Sequence, residues 1–101
     1  MRITLIGGVE RNATALEKIA RDAGHALDFH GGHMTKAGVT AMERFIARAD
    51  LVLVTTAVNS HTAVKVAREV AGRFGRELVM MSTCNPTRFR ELLAARAPVT
   101  S

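Results

Sequence analysis

The chain has 101 residues, a net charge of +5 and a single cysteine. A chain of this length forms one domain, and a hydrophobic share of 48% excludes a disordered protein. No apolar run approaches the roughly 20 residues that a membrane helix needs. The segment "MRITLIGG" at residues 1–8 is typical of a strand rather than of a signal peptide, and one cysteine fits a reducing compartment. We therefore expect a single domain over residues 1–101, located in the cytoplasm and not in a membrane.

The net charge permits an anionic ligand, nucleic acid included, but the spread of the basic residues and the few aromatic residues argue against a nucleic-acid partner. The chain has 14 basic and 9 acidic residues, and the basic residues are spread along it rather than clustered. It has four phenylalanines and neither tryptophan nor tyrosine, so aromatic platforms on which bases stack are scarce.

Strand-like and helix-like segments alternate along the chain. Short apolar runs predict buried strands at residues 2–8, 25–30, 49–56 and 76–83. Apolar residues at helical spacing predict helices at residues 11–24, 36–50, 60–75 and 85–97. Asn85 and Pro86 are a start signal for the last helix. The order βαβαβαβα predicts an α/β fold, a small Rossmann-like three-layer sandwich with four parallel strands in the order 2-1-3-4.

Polar residues and glycines follow all four predicted strands. Ligands of open parallel sheets bind beyond the carboxyl ends of the strands, near the point where the strand order reverses. The residues at that edge include, in chain order, Gly7, Gly8, Arg11, His30, His33, Ser60, His61, Cys84 and Arg88. Three of the four histidines and the only cysteine are thus expected in one cleft.

All of these residues except Ser60 have two interpretations. Gly7 and Gly8 either make a tight turn or let the backbone approach a ligand, and "IGGVERN" has neither dinucleotide-binding nor P-loop spacing. Ser60 is expected to cap a helix. Cys84 is either a small core residue or, at a helix start, a reactive or metal-binding thiol.

The two histidines that flank "GG" raise the question of a metal or cofactor. His30 and His33 either decorate a loop or present imidazole to a ligand, and His61 begins the third helix at the same edge. Arg11 and Arg88 either pair with ligand carboxylates or phosphates or face water. Glu10 is the only acid near this edge outside the helices, so we expect a binding module rather than a hydrolase, and enzymatic activity is not predicted.

A family resemblance covers almost the whole chain. The segment "ADLVLVTTAVNSHTAVKVAREVAGRFGRELVMMSTCNPTRFRELL" resembles the bacterial family known as domain of unknown function 2325 (DUF2325). "IGG", "FHGG" and "NSH" fit the same family, and "TRF" resembles its Ser-Arg-Phe, which carries Arg88 over. The family usually has His-His-Gly-Gly after the second strand. Phe29 stands at the first of those positions here, so His30 carries over and His33 does not.

The resemblance implies a haem protein that binds dioxygen or another gas, or that senses redox state. Haem iron needs an axial imidazole, and His61 is the first candidate, with His30 as an alternative or distal residue. Arg11 or Arg88 would hold the propionates, while Gly7, Gly8 and Ser60 would complete the site. A chain this small would enclose a porphyrin poorly, so a homodimer is expected.

Two other hypotheses stay open. One is a zinc or other transition-metal site formed by four side chains of the cleft, a number that suits tetrahedral zinc; they are His30, His33, His61 and Cys84. The other is a metal-free Rossmann-like module for a small anionic ligand or a protein partner.

Overall fold

A computed structural model of the protein describes residues 1–96, in which strands and helices alternate. The strands are β1 (Arg2–Ile6), β2 (Ala26–His30), β3 (Leu51–Thr55) and β4 (Glu77–Met81). The helices are α1 (Glu10–Asp22), α2 (Lys36–Arg48), α3 (His61–Phe74) and α4 (Pro86–Arg96). The predicted alternation is confirmed, and residue 97, where the last helix was predicted to end, lies outside the described residues.

The strands form one parallel sheet in the order β2-β1-β3-β4, as the sequence predicts. In the register, Ile6 at the end of β1 lies beside His30 of β2 on one side and Val54 of β3 on the other. The carboxyl ends of the strands therefore meet at one edge, and the order reverses between β1 and β3. Ligand sites of such sheets are expected beside that reversal.

Two apolar layers hold helices to the two faces of the sheet. The layer under α1 and α4 includes Ile3, Leu5, Leu53, Leu16 and Phe89, all buried. The layer under α2 and α3 includes Ile6, Val52, Val54, Met42 and Val70, also buried. Successive side chains of a strand point to opposite faces, and β1 and β3 are apolar on both because helices cover both. The result is the predicted three-layer sandwich.

Glycines end β1 earlier than predicted, at Ile6 rather than at residue 8. Gly7 and Gly8 both have positive φ, +93° and +95°, which ends the extended backbone. A Cβ on Gly7 would lie 2.6 Å from Thr55 Oγ1 and 2.6 Å from Asn59 Nδ2. Glycine is therefore required at position 7 by both conformation and space.

The helices of residues 1–96 are not membrane spans: none combines the length and the apolar character that a crossing requires.

Candidate functional site

The start of α3 carries His61 at the carboxyl edge of the sheet. Ser60 caps the helix, its Oγ accepting the Ala63 N–H at 3.0 Å. Asn59 ties this turn to β3, since its Nδ2 donates to the Thr55 carbonyl at 2.9 Å and its Oδ1 accepts the Ser60 N–H at 3.0 Å. The backbone that carries His61 is thus fixed. The His61 side chain is exposed and makes no hydrogen bond with residues 1–96.

An open, shallow groove of about 570 Å³ runs along α3 from His61, and every side chain that lines it belongs to α3. The lining side chains recur at helical spacing and are His61, Val64, Lys65, Arg68 and Glu69. An imidazole, an apolar side chain, two cations and one carboxylate therefore share one stripe of the helix.

The groove opens toward β4 rather than toward α2. Arg73 on α3 donates to Glu43 of α2 at 3.2 Å, so the Arg73 flank of α3 faces α2. Helical periodicity puts the stripe of His61, Val64 and Arg68 on the other flank. Because α3 connects β3 to β4, that flank lies on the side of the outer strand β4.

Both ring nitrogens of His30 are hydrogen-bonded inside the protein, in contrast to those of His61. His30 is 3% exposed, its Nε2 donates to the Gly38 carbonyl at 2.7 Å, and its Nδ1 accepts the Gly32 N–H at 3.0 Å. Burial lowers the pKa of this imidazole below its usual value of 6.5, and the nearby His33 acts in the same direction against the opposing bond to Gly38. A neutral ring protonated on Nε2 satisfies both bonds. Metal binding through either nitrogen would break one of them.

The four side chains of the zinc hypothesis do not form a metal-binding group. Within residues 1–96, no three or more His, Cys, Asp or Glu side chains lie together in a way that would hold a metal ion. His33 stacks on His30 with 4.7 Å between the ring centroids and 16° between the planes. Cys84 is buried, which raises the pKa of its thiol despite the opposing charge of Arg88. The thiolate that zinc prefers is thus disfavoured.

Gly7 and Gly8 form a turn whose amides are used inside the protein. The Gly7 N–H donates to the His30 carbonyl at 2.8 Å and the Gly8 N–H to the Val58 carbonyl at 2.7 Å. These two glycines, together with Thr55, Cys84 and others, line a mostly apolar crevice of about 140 Å³. A ligand that approaches these glycines would find no free N–H on either of them.

The two predicted arginines lie on helices of the opposite face. Arg11 is exposed on α1 and Arg88 on α4, and both helices pack on the face that α3 does not cover. Arg88 borders a second groove, about 380 Å³, beside β4. The cations beside His61 are instead Lys65 and Arg68, which the sequence reasoning missed. Their spacing of four and seven residues from His61 on a predicted helix was the available signal.

Comparison with known proteins finds one family. The family described as "Uncharacterized protein conserved in bacteria (DUF2325)" matches residues 2–95, nearly the whole chain. No match was found among curated proteins or among solved structures.

Proposed function

The chain belongs to the DUF2325 family, and on that premise we propose that it binds haem, with His61 as the axial ligand of the iron. The observation that carries the proposal is the exposed His61 imidazole at the mouth of a groove that also offers apolar and cationic side chains. Bound haem would supply an iron centre suited to binding dioxygen or another gas, or to exchanging an electron.

The residues of the groove fit the parts of a haem. The His61 imidazole has no hydrogen bond to residues 1–96, so a ring nitrogen is available for iron without loss of a protein contact. Val64, one turn along, offers an apolar contact to the porphyrin. The cations of Lys65 and Arg68 suit its propionates, because carboxylates form charge-assisted hydrogen bonds with both groups.

His30 is the weaker candidate for the axial ligand. It would have to give up its bond to Gly38 or to Gly32, and leaving a buried polar group unpaired costs about 1–3 kcal/mol. Arg11 and Arg88 lie on helices of the other face, so we assign the propionates to Lys65 and Arg68. The groove is open, whereas ligand sites bury most of their ligand, so the proposal includes a second copy as cover.

Hemin titration of the purified protein tests the axial ligand. We expect the wild-type chain to give a sharp Soret band that saturates at a fixed stoichiometry, and His61→Ala to lose that band. His25→Ala is the matched control, because His25 lies at the opposite edge of the sheet against the N-terminal amine, 2.7 Å from its Nδ1.

Two results would contradict this proposal. If His61→Ala binds hemin with wild-type affinity and spectrum, His61 is not the ligand. If the wild-type chain leaves the hemin spectrum unchanged, haem binding itself is refuted. Metal analysis of the purified protein would then separate a metal site from a metal-free module for anionic ligands.

The propionate assignment has its own test. Lys65→Ala and Arg68→Ala should each weaken hemin binding by about fivefold at most, because exposed ion pairs contribute up to about 1 kcal/mol. The Soret position should not change, since the iron ligand is intact. Arg11→Ala serves as the control and should bind hemin like the wild type. Equal losses in all three variants would reject the assignment in favour of a general charge effect.

A further inference from the structure

The two outer strands of the sheet differ in how they are protected. β2 carries Asp28 at its centre, and this carboxylate is bonded to Arg2 at 3.1 Å and to Arg48 at 3.0 Å. Charged residues on an edge strand discourage pairing with other chains. β4 has the sequence ELVMM, with no charge after Glu77, no proline and no glycine. The usual devices that block edge pairing are absent from the centre of β4.

The side of β4 that has no neighbouring strand within residues 1–96 carries apolar side chains and backbone N–H and C=O groups that point away from the sheet. The Met81 carbonyl accepts the Thr56 N–H at 3.0 Å, so the backbone groups of Met81 point to the β3 side. Because these groups alternate along a strand, those of Leu78 and Met80 point to the open side. The Met80 side chain is 42% exposed. A strand that pairs here would find donors, acceptors and an apolar contact.

We infer that β4 pairs antiparallel with β4 of a second copy of this chain. Such pairing joins two four-stranded sheets into one sheet of eight strands around a two-fold axis. The interface is isologous, so each residue that contributes to it does so twice. Strand addition at a free sheet edge is an established mode of recognition in which backbone hydrogen bonds supply affinity.

Charges beside β4 favour a second copy as the partner. On α4, Arg88 and Glu91 lie one turn apart in the groove beside β4. Neither belongs to an intramolecular ion pair within residues 1–96.

An antiparallel copy makes this pair self-complementary. Two-fold symmetry reverses the direction of α4, so Arg88 of one copy faces the Glu91 end of the other copy. Opposite charges then meet across the axis, which complementarity of an interface requires. An unrelated strand could pair with β4 but would have no reason to match this charge pattern.

The pairing has a consequence for the groove beside His61. Because that groove opens toward β4, the α3 helix of the second copy would lie next to it and cover it. The pairing stands on the edge strand and the charges alone, whereas this consequence rests on the proposed haem function.

Sedimentation equilibrium of the full chain without hemin tests the pairing. We expect a concentration-dependent dimer, and Met80→Lys should weaken it by at least about tenfold because it places like charges together at the axis. Met80→Pro should do the same by removing an outward N–H while leaving the bonds to β3 intact. The control is Val9→Lys, which changes an apolar side chain of 53% exposure away from β4. Circular dichroism of each variant reports the fold.

A charge reversal on α4 tests the choice of partner. Glu91→Arg should weaken the dimer, and Arg88→Glu combined with Glu91→Arg should restore it, since only a second copy carries the complementary change. A wild-type chain that stays monomeric overturns the inference, as do Met80 variants that dimerise like the wild type.

Hemin binding separates this inference from the proposed function. A dimer that ignores hemin sustains the interface and refutes the haem proposal. A monomer that binds hemin through His61 refutes the interface and the cover by a second copy, and it sustains His61 as the iron ligand.

Discussion

His30 and His61 both follow parallel strands at the same edge of the sheet, yet the protein uses them differently. The His30 ring is 3% exposed and both of its nitrogens are hydrogen-bonded within eight residues of chain. The His61 ring is exposed and has no hydrogen bond to residues 1–96. Position at the carboxyl edge of the sheet therefore does not show whether a histidine is bonded inside the protein or is available to bind a ligand. The hydrogen bonds of each ring do show it.

The same contrast extends to the loops that carry these residues. In the loop after β2, the buried His30 ring itself makes the stabilising hydrogen bonds, one to Gly32 and one to Gly38. In the loop after β3, the stabilising hydrogen bonds are made by Asn59 and Ser60 and not by His61, so the His61 side chain is exposed to solvent. The first loop should therefore respond to mutation with loss of stability, and the second with loss of binding.

The largest effect is expected for Gly38→Ala, which breaks the first loop. A Cβ at this position would collide with the His33 backbone carbonyl, an atom that cannot move without the loop. We expect a loss of about 2–3 kcal/mol in the free energy of unfolding, as for other overpacked sites. Urea denaturation measures it.

Gly72→Ala is the matched control for that prediction. Gly72 is exposed in α3, and a Cβ there has nothing within 4 Å. Alanine favours helix over glycine, so this variant should gain about 0.5–1 kcal/mol. If Gly38→Ala is as stable as the wild type, the loop is not as closely packed as described.

The next effect is a direct comparison of the two histidines. His30→Ala leaves the buried Gly38 carbonyl and Gly32 amide without their partner, so we expect a loss of about 2 kcal/mol. His61→Ala should change the free energy of unfolding by less than about 0.5 kcal/mol, as exposed substitutions usually do. Urea denaturation without hemin compares the two variants. Equal losses in the free energy of unfolding would mean that His61 stabilises the fold as much as His30 does.

Much of the fold could be predicted because it depends on local periodicity. Apolar runs and helical spacing give the order of elements, and the rules for parallel sheets give the strand order. The limits of β1 were predicted less well, because Gly7 and Gly8 adopt positive φ and Gly7 lies too close to Thr55 and Asn59 for any side chain. Phe74 stands at helical spacing from the buried Val70 but is 40% exposed, because it lies at the end of α3.

The candidate site was harder to predict because it depends on tertiary contacts. Nothing in "HGGH" shows that the His30 ring reaches Gly38 in the next helix. The grouping of Cys84 with the histidines likewise assumed distances that only the folded chain supplies. Lys65 and Arg68, in contrast, were within reach of sequence reasoning, since helical spacing from His61 puts them on one stripe.

The third effect is a dependence of stability on pH that comes from His30. Burial holds the pKa of this imidazole below 6.5 in the folded protein, whereas the unfolded chain titrates near 6.5. Just below pH 6.5 the unfolded state therefore binds more protons than the folded state. Stability is fully present above about pH 6.5 and falls as the pH drops, by at most about 1.4 kcal/mol per pH unit.

Urea denaturation between pH 7.5 and pH 5 measures this slope in the wild type and in His30→Gln. The variant has lost the titrating group, so its stability should change less over that range. His33→Gln should keep a reduced slope, since the His33 ring also holds the His30 pKa down. Identical slopes in wild type and His30→Gln would mean that other titrating groups, and not His30, cause the dependence of stability on pH.

The smallest effects are expected at the two helix caps. The caps have the same hydrogen-bond geometry, but only the cap of α3 lies next to His61. Thr35 Oγ1 accepts the Gly38 N–H at 3.0 Å at the start of α2, and Ser60 Oγ accepts the Ala63 N–H at 3.0 Å at the start of α3. Alanine at either position should lower the free energy of unfolding by about 1 kcal/mol. Only Ser60→Ala should also weaken hemin binding, because it loosens the turn that presents His61. If Thr35→Ala weakens hemin binding equally, the loss of affinity comes from lower stability of the whole domain. The turn before His61 then has no special role in hemin binding.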